Sequence, residues 1–110
     1  MDKKILSKVQ KELDHKAMLV AVSKTRTKQE IDEAYHCGCR VFGENRVQEL
    51  KEKYNKDYNW HFIGHLQRNK VKDVVPFVSM IESLDSIRLA QEIEKECAKI
   101  DKVMPVLVEI

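Results

Sequence analysis

Glycine and proline are scarce in this chain, at 3 and 2 of 110 residues. That excludes collagen-like, low-complexity and linker-type sequences. The turn Ser23-Lys24-Thr25-Arg26-Thr27 also carries no glycine-rich phosphate fingerprint. No apolar run approaches the roughly 20 residues needed to cross a bilayer. The opening Met1-Asp2-Lys3-Lys4-Ile5 lacks the apolar centre of a secretion signal, so the expected setting is cytoplasmic, with no membrane partner. Three cysteines cannot all pair within one chain, and Cys37 and Cys39 flank a single glycine, which speaks against a disulfide framework and for reduced thiols. Charge of one sign is missing too. Twenty Lys and Arg stand against 18 Asp and Glu, a net +2 spread evenly along the chain, and this disfavours nucleic acid as the partner.

What remains is 43% hydrophobic and 35% charged residues, the composition of a helix-rich globular domain or a piece of one. Ile5, Val9 and Leu13 recur at helical spacing and predict an amphipathic helix over 2–15. The apolar run 18–24 predicts a strand buried on both faces. Thr27 with Glu30 is a capping-box signature, Ile31, Ala34 and Tyr35 form an apolar stripe, and Gly38 supplies the stop, giving a second helix. The alternation then repeats: strand 40–43, helix 44–54, strand 60–64, a short helix 67–75 ended by Pro76, strand 77–83, a helix capped by Ser86 that bears Leu89, Ile93 and Cys97, and strand 103–110. Strands alternating with helices, without tight hairpins, indicate βαβ units in a parallel sheet. Length favours an open doubly wound sheet over a closed (β/α) barrel, which takes about 250 residues. The uncovered final strand instead suggests an interrupted fold.

Lys24 ends the first strand, where parallel α/β folds keep their reactive groups. Alternation places Val20, Val22 and Lys24 on one face. If that face lines a barrel or crevice, desolvation lowers the amine's pKa and frees it to condense with an aldehyde. A lysine snorkelling from a strand end to water fits the same position. Glu44-Asn45-Arg46 opens a helix at the same rim and offers amides to a polar or anionic ligand, or else caps the helix, with Glu44 complementing its dipole. His61, Ile63 and His65 share one side of the third strand and its exit. Either imidazole suits acid, base or ligand work, and equally a hydrogen-bonded core or rim position. His36-Cys37-Gly38-Cys39 falls short of zinc spacing and has no second pair. The basic segment 67–72 lacks the interleaved aromatics of a nucleic-acid surface and reads as a solvated helix face. Ser83, Asp85 and Ser86 follow the fourth strand, within reach of a ligand there.

Together, the segments Val20-Ala21-Val22-Ser23-Lys24-Thr25, Phe42-Gly43-Glu44-Asn45-Arg46-Val47-Gln48-Glu49-Leu50, Trp60-His61-Phe62-Ile63-Gly64-His65-Leu66-Gln67-Arg68-Asn69-Lys70 and Ile81-Glu82-Ser83-Leu84-Asp85 resemble the pyridoxal phosphate homeostasis protein family, of YggS or PROSC type. The resemblance runs over essentially the whole chain. It implies a barrel like that of alanine racemase, here about half a barrel of five strands, with residues 1–110 forming the amino-terminal part of one pyridoxal phosphate-binding domain. It also implies pyridoxal 5′-phosphate (PLP) held as a Schiff base on Lys24, with further contacts mapping onto Asn45, Ile63, His65 and Ser83. The implied role is a carrier, buffer and regulator without an established catalytic reaction. The alternative is a racemase- or aldolase-like enzyme using the same lysine. Family members run to about twice this length, and the serine- and glycine-containing segment that grips the phosphate lies in their later part. An unfinished sheet is expected to self-associate through its edges and exposed apolar face.

Overall fold

The computed structural model of the chain describes residues 3–13 and 17–109. In order, the elements are α1 (Lys3–Leu13), β1 (Val20–Val22), α2 (Lys28–His36), β2 (Val41–Glu44), α3 (Val47–Lys53), β3 (Asn59–Phe62), a 3-10 turn (Arg68–Lys70) running into α4 (Val71–Val74), β4 (Met80–Leu84), α5 (Ile87–Lys99) and β5 (Val106–Val108). Every expected element is present. The expected ends of the first helix, at residues 2, 14 and 15, and of the last strand, at Ile110, lie outside the described residues.

Local signals set the helix ends. The Thr27 hydroxyl accepts the Glu30 N–H at 3.1 Å, while the Glu30 carboxylate accepts the Thr27 N–H at 3.1 Å, a reciprocal cap worth about 1 kcal/mol. Ser86 accepts the Leu89 N–H at 3.1 Å in the same way. Gly38 closes α2 at φ +109°, a backbone shape that favours glycine. The helix expected over 67–75 begins instead as a 3-10 turn, with the Lys70 N–H donating to Gln67 O at 2.9 Å.

Five parallel strands pair in the order β1-β2-β3-β4-β5. A doubly wound sheet reverses direction at a switch point and places helices on both faces. Here the order never reverses, so right-handed crossovers put every helix on the same side, as in an arc of a (β/α) barrel. The register Val22↔Gly43↔His61↔Met80 defines the open face, and Ala21↔Phe42↔Trp60 the covered one. From the covered face Phe42, Trp60, Phe62 and Ile81 meet Ile31, Leu50, Val71, Val74, Leu89, Ile93 and Cys97 of the helices in one core. Near the amino ends of the strands, Tyr35 stacks on Tyr58 with ring centroids 4.4 Å apart, Phe42 lies 5.6 Å from Trp60, and the Trp60 indole N–H donates to Asn55 O at 3.1 Å.

Candidate functional site

The carboxyl ends of the strands form a rim that carries the residues singled out in the sequence. Lys24 lies just beyond β1 and is exposed, so the described residues do not supply the desolvation expected of it. The physical reason is the open arc: β1 is an edge strand, and Val22, two residues before Lys24 on the inner face, is 54% exposed. Asn45 follows β2. Its neighbour across the rim is Gly64, where an added Cβ would sit 2.4 Å from Asn45 O, so glycine is needed for the β2 and β3 exits to approach this closely. Ile63 is half-buried and lies across Gly43, whose absent side chain leaves room for it. His65 is largely exposed, with Nδ1 3.6 Å from an Asp85 carboxylate oxygen. Asn45 and His65 line a common cleft of about 350 Å³ that also receives Arg46, Lys51 and Lys70.

Ser83 stands near the end of β4 and is 2% exposed. Its Oγ, together with Asn45 Oδ1 and Glu44 Oε1, is buried without a hydrogen-bond partner. Such groups are costly, and an orphaned polar atom at a rim is a place for a ligand to bond. His61 does not reach the rim. It is buried on the open face, with Nδ1 2.9 Å from Glu82 Oε2. Cys37, Cys39 and Cys97 are free thiols, and burial pushes the Cys39 thiol up. Among the described residues no cluster of three or more His, Cys, Asp or Glu could hold a metal ion.

Glu44 requires a correction. Read from sequence as the opening of a helix and a partner for its dipole, it is instead the last residue of β2, while α3 starts after Arg46. Alternation puts it on the same face as Phe42, so its carboxylate is fully buried, and burial pushes its pKa up despite the nearby Lys53 cation. Lys53 Nζ lies 3.3 Å from Glu44 Oε2 and 3.0 Å from Glu49 Oε2, and donates to Ser23 O at 2.8 Å. Sequence reasoning passed over Lys53 and Glu49. Their i,i+4 spacing was the available signal, and it usually marks only a surface pair.

An arc of parallel βα units in unreversed order, superposable on PipY, belongs to the α/β barrels of alanine racemase type. No family model matches the chain. A pyridoxal phosphate homeostasis protein of Aquifex aeolicus is 48% identical over 98 residues, covering 86% of this chain and 43% of that protein. PipY of Synechococcus elongatus, solved without PLP, superposes with a TM-score of 0.88 at 33% identity, over 96% of this chain and 52% of PipY. PipY solved with PLP bound gives a TM-score of 0.75 at 31% identity, over 92% of this chain. The chain belongs to the pyridoxal phosphate homeostasis protein family, and it spans about half the length of the relatives it matches.

Proposed function

We propose that this chain binds PLP at the carboxyl rim of its parallel sheet and serves intracellular PLP homeostasis in the cytoplasm without turning over a substrate. The cofactor supplies an aldehyde that condenses with a primary amine to a Schiff base, and Lys24 supplies the amine. Asn45 and Ser83 hold the ligand's polar edge, Ile63 offers an apolar surface beside it, and His65, oriented by Asp85, closes the rim. The observation that carries this reading is the pair of orphaned buried atoms, Asn45 Oδ1 and Ser83 Oγ. One is an obligatory acceptor and the other a donor or acceptor, a set suited to a small polar aromatic aldehyde. The structure of PipY with PLP bound supports the choice of ligand.

The test is borohydride reduction of the chain mixed with PLP, followed by peptide mass mapping. The label is expected on the peptide containing Lys24 and is lost in Lys24→Ala. Label spread evenly over the exposed lysines refutes the site. Racemisation or decarboxylation of amino acids that disappears in Lys24→Ala refutes the non-catalytic role.

A further inference from the structure

We propose that Glu49 and Lys53 of α3 are positioning residues that hold the turn bearing Lys24 by gripping the peptide groups on both sides of it. The inference deepens the assignment of Lys24 as the PLP-binding amine and rests on it.

The turn departs from easy backbone geometry. The Arg26 N–H closes it onto Ser23 O at 3.1 Å, and Thr25 sits at φ +62°, the left-handed region that a β-branched residue avoids. Such a conformation persists only where its surroundings over-determine it. On the amino side of Lys24, both the N–H and the hydroxyl of Ser23 donate to Gly43 O, at 3.0 and 3.1 Å, while Ser23 O accepts from Lys53 Nζ at 2.8 Å. On the carboxyl side, the Thr25 N–H donates to Glu49 Oε2 at 3.1 Å. That same oxygen lies 3.0 Å from Lys53 Nζ, so one ion pair closes both halves of the clamp. The grip on Thr25 is strong enough to hold the Glu49 carboxylate below its ordinary range, ahead of the contribution from Lys53.

The second carboxylate, Glu44, anchors the ammonium group from beneath at 3.3 Å, with the Lys53 side chain 9% exposed. The lysine is therefore a buried tie between the end of β1, the end of β2 and α3. Lys24 is left as the residue whose flanking peptides are both fixed while its own side chain is free. Fixing the backbone under a reactive amine shortens its search for the aldehyde carbon, which is what orientation contributes to a bimolecular capture.

The experiment compares the chain with Glu49→Ala and Glu49→Gln, the latter keeping a side-chain oxygen for the Thr25 N–H. Two readouts are taken: hydrogen exchange of the Thr25 amide without PLP, and the rate of borohydride-trappable capture at Lys24 relative to labelling at exposed Lys28. Losing a hydrogen bond to a charged group is expected to speed Thr25 exchange and slow Lys24 capture by about tenfold each in Glu49→Ala. Glu49→Gln is expected to restore most of both, and Lys28 labelling stays constant. A merely structural role would instead lower the unfolding midpoint and change all lysines together. Should Glu49→Ala fail to fold, Glu49→Asp, which withdraws the acceptor by one methylene and keeps the charge, shows the same direction. Unchanged Thr25 exchange, or released Thr25 with undiminished capture, overturns the clamp. Absence of Lys24 capture in the unaltered chain, with Thr25 exchange still controlled by Glu49, overturns the PLP assignment instead.

Discussion

Gly64→Ala tests how tightly the rim is built. A Cβ at this position would stand 2.4 Å from Asn45 O, 2.6 Å from Asn45 Cβ and 2.7 Å from Asn45 Cα. Carbon atoms pack at about 3.5–4.0 Å, so the exits of β2 and β3 must separate by about 1 Å to admit one methyl group. Two of the three obstructing atoms are backbone, which cannot swing aside. Overpacking costs about 1–3 kcal/mol, and this case belongs at the upper end. With a urea slope of about 1–3 kcal/mol per molar for a small domain, a cost of about 3 kcal/mol lowers the midpoint by about 1–3 M. Trp60, 1% exposed within the core, reports the transition by fluorescence. Gly43→Ala is the matched control: its nearest atoms are 3.0–3.3 Å away and belong to the side chains of Ile63 and Val20, which yield at a cost of about 1 kcal/mol. Because the displaced residue is Asn45, Gly64→Ala is also expected to weaken PLP capture at the proposed site. If Gly64→Ala is as stable as Gly43→Ala, the close approach does not constrain the rim and the reasoning fails.

Two further outcomes are expected. Lys53→Met strands the Glu44 carboxylate in the core and costs about 3–5 kcal/mol at neutral pH. Since burial already raises the Glu44 pKa above 4.5, the folded chain binds that proton more tightly than the unfolded one. The penalty therefore eases as pH falls through the folded value, and the melting-temperature gap between variant and parent narrows from pH 8 towards pH 5. Glu49, whose value is lowered, behaves oppositely: its contribution is complete above 4.5 and fades as pH drops through its folded value. A gap that widens on acidification refutes the role of Glu44. The exposed apolar residues Val22, Leu107 and Val108 and the edge strands β1 and β5 are expected to drive self-association. Sedimentation velocity should show mass above 12.9 kDa that falls on dilution and in Val22→Lys, whereas a constant monomer refutes it.

The parts of this fold that were legible in the sequence are the ones written locally. Thr27 with Glu30, Ser86 and Gly38 mark helix ends because a cap is completed within a few residues of itself. Strand positions were legible but too long, since the apolar run 18–24 continues past the three residues that join the ladder, Val20–Val22. Strand order was not legible from length, which pointed to an open sheet; the resemblance implied the half barrel, and the unreversed order agrees with it. Glu44 was misread for a related reason. Its partner lies nine residues on across a strand-helix junction, and both residues look like ordinary surface charge when read along the chain. Lys24 was singled out from its place at the end of an apolar strand, whereas the groups that bond its neighbouring peptides lie on another element and leave only a common charge spacing as their trace.

The aromatic stack formed by Tyr35, Tyr58, Phe42 and Trp60 gathers weight at one end of the sheet. Tyr58 is tied there to Asp32, a bond that pushes its hydroxyl up to about 12. The aromatic packing thus lies at the end of the sheet opposite the carboxyl rim. Such a division leaves the solvent-facing rim side chains, His65 among them, open to replacement, whereas Gly64, Glu44 and Lys53 are held there by packing and charge.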